Sequence, residues 1–196
     1  MPGHFGYPCP DCRSRNNLHE PDCRFSGREH HEIERAYVPV LARLSAEPMS
    51  ESDLQEAVEG WGPLHVAALD RLRGDERVKE NESGNFAVVP PGERKERLRE
   101  PTYEPMRTIY EKGSVPGAHD NSVFAMVAFY EMVGFTWPET KRLVVDWLHE
   151  SGTWARGGFE ESSPEQLLEN KRHVYEEGYG WKQAAKEAKA VVDRSL

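Results

Sequence analysis

All three cysteines of the chain lie within fifteen residues near its N-terminus, in the stretch CPDCRSRNNLHEPDC. With one histidine they have the spacing Cys9-x2-Cys12-x6-His19-x3-Cys23. Two residues between the thiolates of a CxxC pair let both sulfur atoms point inward across a tight turn, and a second pair of ligands can complete a tetrahedron. The spacing therefore predicts a closed site for one structural zinc ion.

A metal ion would also explain how the N-terminal segment, residues 1–28, can fold. A segment of about 30 residues or fewer cannot bury a core of its own, so the ion would supply the folding free energy. An odd number of cysteines argues against a disulfide scaffold, and redox chemistry of the thioredoxin type needs a βαβ context that is missing nearby. Free or redox-active thiols and a site for iron or another metal are the alternatives. His4, His30 and His31 could replace His19, but their spacing fits less well.

The composition indicates an acidic surface. The chain has 196 residues and a net charge of -9, and its mean hydropathy is -0.77. Arginine supplies seventeen of the twenty-five basic residues, and a lysine-poor, glutamate-rich surface favours a salt-adapted protein, although an ordinary acidic protein has a similar profile. No apolar run approaches the roughly 18 residues of a membrane span, and no secretory leader precedes the cysteines. We therefore expect a cytoplasmic protein with no membrane partner.

Residues 29–90 have the pattern of a winged helix-turn-helix domain. Apolar residues recur at helical spacing in EHHEIERAYVPVLARLSA, where Pro39 is expected to kink the helix or delay its start. Two more helical segments follow, MSESDLQEAVEG and GPLHVAALDRLRG, the first opened by a capping box at Ser50 and the second by Pro63. The stretch RVKENESGNFAVV then predicts two short strands around a hairpin turn.

The second half is predicted to be entirely helical after a linker at 91–112. Prolines at 90, 91, 101 and 105 flank a charged run without a clear apolar period, which favours a linker with at most one short helix. Residues 113–196 then contain four helical patterns: SVFAMVAFYEMVG, WPETKRLVVDWLHESG, PEQLLENKRHVYEEG and WKQAAKEAKAVVDRSL. Helices of this length with short connections form a small bundle. The predicted fold class is therefore mainly α with one small β hairpin.

No motif in the sequence specifies a catalytic centre. The P-loop, the nucleophile elbow and the HExxH zinc motif are all absent. The strongest polar cluster is His119-Asp120-Asn121 at a predicted helix start, where Asp120 or Asn121 would cap the helix. Alternatively, the N-terminus of that helix would bind a phosphate or another anion. We expect a protein that is not an enzyme.

The stretch PGAHDNSVFAMVAFYEMVGFTWPETKRLVVDWLHESG, followed after a loop by NKRHVYEEGYGW, resembles the C-terminal helical modules of primases. It is similar to the modules of plasmid and viral primase–polymerases and, more faintly, to the helical part of the archaeal primase large subunit. The shared features are a polar helix start, an apolar helix ending in glycine, a Thr-x-x-Glu helix start, and an exit at Tyr175, Gly178 and Tyr179.

This resemblance covers residues 115–182 and implies contact with template or nucleotide. It does not imply polymerisation, because the catalytic aspartates of primase–polymerases and the iron–sulfur cysteines of the large subunit have no counterpart here. The whole arrangement also resembles uncharacterised haloarchaeal proteins with an N-terminal zinc site and a winged helix, a resemblance that implies no particular activity.

A zinc site, a winged helix and a primase-like bundle commonly meet on DNA, so we predict a DNA-binding protein of replication, repair or transcription, with a protein partner from those processes. The predicted nucleic-acid contacts are His65, Arg71, Arg73, Lys79, Arg94, Lys95, Arg97, Arg99, His119, Trp154 and Arg156. The charge opposes this prediction, since residues 31–90 carry six basic and twelve acidic residues. High salt would weaken that objection by screening.

The alternative function is that of a protein–protein adaptor. Its winged helix would bind a partner, and exposed tryptophans would anchor the interface. The candidate anchors are Trp61, Trp137, Trp154 and Trp181.

Overall fold

The computed structural model describes residues 6–13, 19–177 and 179–196. Its helices in the first half are α1 (His30–Ala46), α2 (Glu51–Ala57), α3 (Pro63–Gly74) and α4 (Pro91–Arg97). The later helices are α5 (Met106–Lys112), α6 (His119–Val133), α7 (Trp137–Glu150), α8 (Pro164–Asn170), α9 (Arg172–Glu177) and α10 (Lys182–Ser195). The strands β1 (Val78–Glu80) and β2 (Phe86–Val88) form an antiparallel hairpin. The prediction of a mainly helical fold with one small hairpin is confirmed.

The chain divides into two compact units, Met1–Arg94 and Lys95–Leu196. In the first unit α1 packs on α2, α3 and β2. The two strands pair from Val78 opposite Val88 to Glu80 opposite Phe86. Met49, which precedes α2, forms one further antiparallel bridge with Phe86 and so ties the α1–α2 connection to the hairpin.

Helix α1 begins well before Pro39 and continues through it, so the predicted late start is wrong. A proline inside a helix removes one backbone hydrogen bond. The buried face of α1 offsets this loss, because it supplies much of the core of the first unit. The apolar residues of that face are Ile33, Ala36, Tyr37, Val40 and Leu44.

The segment predicted as a linker, 91–112, instead carries two helices, α4 and α5. Leu98, Met106 and Ile109 are fully buried in the same core as α6 and α10. The linker prediction fails because the apolar residues of this segment are spread across two helices and the turn between them. The apolar residues of this segment therefore show no helical period in the sequence, although they pack together in the folded unit.

Helix α6 lies at the centre of the second unit, where it packs on α5, α7, α9 and α10. It ends at Gly134 with a φ of 100°, a left-handed conformation that favours glycine. The helix predicted over PEQLLENKRHVYEEG is divided into α8 and α9 at Lys171, whose N–H donates to the carbonyl oxygens of Leu167 and Leu168. Within the described part of the chain, no helix has both the length and the apolar character that a membrane crossing requires.

Candidate metal centre

The structure brings the three cysteines and His19 together. One ligand atom from each of Cys9, Cys12, His19 and Cys23 lies within 4.8 Å of all the others, and the group can hold a metal ion. The Sγ atoms of Cys9 and Cys23 are 3.6 Å apart, and Nδ1 of His19 lies 3.5 Å from Cys12 Sγ and 3.4 Å from Cys23 Sγ. A tetrahedral zinc ion with metal–sulfur bonds of about 2.3 Å and a metal–nitrogen bond of about 2.0 Å spaces its ligand atoms about 3.5 to 3.8 Å apart. These three distances fit this geometry, and the remaining pairs of ligand atoms lie within 4.8 Å of one another.

Two tight turns present the thiols. After Cys9 the chain closes on itself, with Arg13 N–H donating to Cys9 O at 2.9 Å. Around Cys23 a second turn directs the Phe25 N–H to Cys23 Sγ at 3.4 Å. N–H donors aimed at sulfur favour the thiolate form that a metal requires.

Asp11 connects the two turns. Its carboxylate accepts from the Arg24 backbone N–H at 2.8 Å and from Arg24 Nε at 3.1 Å. The hydrogen bond from the Arg24 backbone holds the pKa of Asp11 below its usual value. The charged carboxylate therefore fastens the loop that carries Cys12 to the loop that carries Cys23.

A backbone carbonyl orients the imidazole of His19. Nε2 of His19 lies 3.1 Å from the carbonyl oxygen of Arg28, which can only accept a hydrogen bond. Nε2 must therefore carry the proton, and the lone pair of Nδ1 faces the sulfur atoms. A histidine that ligates a metal normally donates its other N–H in this way.

Burial sets the chemistry of the thiols. It raises the pKa of Cys9 to about 12 and also raises the pKa of Cys23. A thiol with the pKa of Cys9 stays protonated near neutral pH when no metal ion is bound. A bound metal ion would instead deprotonate the thiols, so binding would release protons.

The chain around Cys9 and Cys23 packs against α1 within the first unit. Tyr7 stacks on Tyr37 of α1 with ring centroids 4.9 Å apart, and Tyr37 O–H donates to Pro8 O at 2.8 Å. Cys9 and Cys23 are buried in the same apolar cluster as Ile33 and Tyr37. The cluster of ligands is thus attached to α1 by packing as well as by the backbone.

The other histidines proposed as ligands are placed elsewhere. His30 is buried at the start of α1 and His31 is exposed beside it, and the described ligand cluster contains neither. His4 lies outside the described residues. Sequence reasoning missed Arg28, whose role uses only its backbone carbonyl and leaves no trace in the sequence.

Three predicted DNA contacts of the first unit are engaged inside it. Arg71 has a side chain only 9% exposed and Arg94 is buried, its Nε donating to Asp75 O at 2.9 Å. His65 Nδ1 accepts from the Gly62 N–H at 3.2 Å, and its ring stacks on Trp61. These side chains make hydrogen bonds or ring contacts within the first unit, and their contact with nucleic acid stays a prediction.

Three predicted contacts of the second unit have internal roles. His119 is buried, with Nδ1 3.1 Å from Ser114 Oγ and Nε2 2.9 Å from Gly157 O. Trp154 is half-buried, packed on the core and stacked on Phe159. Arg156 Nη1 donates to Ser114 O at 2.9 Å. These contacts fasten the loop after α7 to the start of α6, although Arg156 itself is exposed, and contact of these side chains with nucleic acid stays a prediction.

The cleft beside His119 does not suit an anion. It has a volume of 340 Å³, and its charged lining residues are Asp120, Glu160, Glu161 and Lys171. Lys171 already pairs with Asp120. The three carboxylates oppose the phosphate that the sequence analysis considered for this helix start.

The remaining predicted contacts are more accessible. Arg73 and Lys79 have side chains 43% and 47% exposed, and each pairs with a nearby glutamate, Glu80 and Glu93. Arg97 and Arg99 are exposed, whereas Lys95 is half-buried and pairs with Glu139 at 2.8 Å. The tryptophans proposed as adaptor anchors are not exposed: Trp181 is buried, and Trp61, Trp137 and Trp154 are half-buried.

Residues 3–195 match one family model, described as a family of unknown function (DUF7474). The chain belongs to this family. No curated protein matches the chain, and no solved structure matches it. The family therefore spans both units and assigns no activity to either.

Proposed function

We propose that the Cys9, Cys12, His19 and Cys23 group binds one zinc ion with a structural role. Three thiolates and one imidazole form a soft donor set that suits tetrahedral zinc. All four positions of the tetrahedron are supplied by the chain, so none is left for a substrate or a catalytic water. The distances among the ligand atoms carry this proposal.

Elemental analysis of the purified protein tests the site. We expect about one zinc per chain and its loss in Cys9→Ser and in His19→Ala. His31→Ala is the matched control, because His31 is exposed and lies outside the cluster. Three freely titrating thiols in the native protein, with no bound metal, would contradict the proposal.

We propose further that the first unit is a winged helix and that the protein is a non-catalytic DNA-binding protein. The order of α1, α2, α3 and the hairpin supports this, together with the bridge between Met49 and Phe86. In a helix-turn-helix the recognition helix lies in the major groove, and α3, after the short connection from α2, has that place in the chain order. The order of these elements is the observation that carries the proposal.

The proposed DNA contacts of this unit are Arg73 on α3 and Lys79 on β1. Both are accessible, and their ion pairs with Glu80 and Glu93 lie at the surface. Exposed ion pairs contribute about 0 to 1 kcal/mol, so a DNA phosphate can take the place of the carboxylate. The gain comes from releasing counterions of the DNA.

Fluorescence anisotropy with single- and double-stranded DNA across a salt series tests this proposal. The double variant Arg73→Ala/Lys79→Ala is expected to lower the slope of log affinity against log salt by about 0.9 for each lost contact. Arg142→Ala/Lys186→Ala is the control, since it removes the same charge from exposed positions of the second unit. The proposal fails if the wild type binds no DNA at any salt, or if the two double variants behave alike.

A protein partner is the second candidate ligand. The engagement of His65, Arg71 and Arg94 inside the first unit favours it, as does the apolar Val66, 38% exposed on α3. A partner recovered by pull-down, identified and purified, should then bind Val66→Asp at least tenfold more weakly than the wild type. Equal binding of the two proteins would exclude α3 as the interface.

We place the protein in the cytoplasm of a salt-adapted cell. Three reduced thiols in a metal site fit a reducing compartment, and the net charge of -9 fits a high-salt solvent.

The second unit is proposed as a relative of primase C-terminal modules. Binding of a primer–template junction by residues 95–196 alone would support that relation, and its absence in both low and high salt would remove it.

A further inference from the structure

Arg71 connects helix α3 to the metal-binding loop. Its Nη2 donates to the carbonyl oxygen of Pro10 at 3.1 Å, and Pro10 lies between the ligands Cys9 and Cys12. Its Nη1 lies 3.5 Å from Asp75, one helical turn further along the chain. The guanidinium of Arg71 therefore links α3 to the turn between Cys9 and Cys12.

The burial of Arg71 makes this contact consequential. A buried guanidinium needs acceptors for its N–H groups, and leaving them unmet is costly. The pairing with Asp75 is long at 3.5 Å, which leaves the Pro10 carbonyl as the better acceptor. The Pro10 carbonyl can accept from Arg71 when the Cys9–Cys12 turn has the conformation that brings the ligand atoms together.

A second side chain acts on the same turn from α1. Tyr37 O–H donates to Pro8 O at 2.8 Å, immediately before Cys9. The carbonyls of Pro8 and Pro10 thus flank Cys9 and are both held by donors of the first unit. Hydrogen bonds that stabilise the folded turn raise its affinity for a metal ion. A bound metal ion in return stabilises the same hydrogen bonds.

We propose that Arg71 is a positioning residue of the metal centre, which holds the Cys9–Cys12 turn in its ligating geometry and links metal affinity to α3. The inference rests on the proposed zinc site. Groups that hold a ligand in place without touching the metal typically contribute 10- to 100-fold to metal affinity. Arg71 is expected to act in this range through the backbone of its loop.

Titration of the reduced full-length protein with Co²⁺, followed by competition with Zn²⁺, tests this inference. Tetrahedral Co²⁺ bound to thiolates has intense visible absorption, which reports the ligand geometry directly. Arg71→Ala is expected to lower the Co²⁺ affinity about 10- to 100-fold, and Arg71→Lys to restore part of the loss. Tyr37→Phe should weaken binding in the same direction.

Two controls separate positioning from general stability. Arg43→Ala removes an exposed arginine of α1 and should bind Co²⁺ as the wild type does. Leu54→Ala removes a fully buried side chain of α2, which weakens the same core without touching the loop. If Leu54→Ala loses as much Co²⁺ affinity as Arg71→Ala, or if Arg71→Ala binds like the wild type, the inference is overturned. Failure of the wild type to bind Co²⁺ or Zn²⁺ would instead overturn the zinc proposal itself.

Discussion

Glu139 shows how one side chain can make the start of a helix depend on pH. Its Oε2 accepts from the Thr136 N–H at 2.6 Å, which closes the predicted capping box of α7, and from Lys95 Nζ at 2.8 Å. The hydrogen bonds from Lys95 and then from Thr136 lower the pKa of Glu139 from 4.5 to about 2. Because the folded state lowers this pKa, the stabilisation is complete above pH 4.5 and is lost as the pH falls towards 2.

Glu139→Ala is therefore expected to lower the free energy of unfolding at pH 7 by about 1 kcal/mol, the usual value of a helix cap. The side chain is 38% exposed, so solvent screening keeps the loss well below what the pKa shift alone would imply. Denaturant unfolding at several pH values from 2 to 7 should show less loss of stability on acidification in the variant than in the wild type. Glu111→Ala, which removes an exposed glutamate of α5, is the control; a Glu139→Ala curve parallel to the wild type would contradict the prediction.

Gly113 is a second residue whose identity the fold requires. Its φ is 72°, and an added Cβ would lie 2.6 Å from both Arg156 Nη1 and Thr153 Oγ1. Gly113→Ala should therefore destabilise the second unit by about 1 to 3 kcal/mol, measured by denaturant unfolding. Gly180→Ala is the matched control in the same unit, because a Cβ there meets no atom within 4 Å and should leave stability nearly unchanged.

At the scale of elements, the burial of α5 decides whether its stretch of the chain is a packed segment or a linker. Ile109 is fully buried in the core of the second unit, within the stretch that the sequence analysis predicts as a linker. Ile109→Ala is expected to cost about 2 to 5 kcal/mol of unfolding free energy, whereas a true linker residue would cost almost nothing. Arg107→Ala, on the exposed side of the same helix, should change stability by less than about 0.5 kcal/mol. Equal stability of Ile109→Ala and Arg107→Ala would restore the linker prediction.

The elements that sequence reasoning predicted are those with local signals. Ser50 and Thr136 each stand at the start of a helix, because capping depends on residues three apart in the chain. The ligand group was predictable for the same reason, since CxxC spacing is a local constraint. The surroundings of Arg71 and His119 were not, because Pro10 and Gly157 reach them only through the tertiary fold.

At the scale of the whole molecule, the proposed metal site belongs to the first of two units. An ion that binds only the folded state stabilises it by RT ln(1 + [L]/Kd), about 4 kcal/mol at a thousandfold excess over Kd. Each unit has its own apolar cluster, so this stabilisation applies to the first unit. A strong chelator is therefore expected to lower the unfolding temperature of the first unit and to leave that of the second unchanged.

The tryptophans make this prediction measurable in one chain. Trp61 lies in the first unit, and Trp137, Trp147, Trp154 and Trp181 lie in the second. In Trp61→Phe, tryptophan fluorescence therefore reports the second unit alone, while far-ultraviolet circular dichroism reports both. With chelator, the dichroism should show a separate early loss of helix while the fluorescence midpoint stays in place. If the fluorescence midpoint falls together with the dichroism midpoint, the two units unfold as one. If the chelator changes neither midpoint, a bound metal ion does not contribute to the stability of either unit.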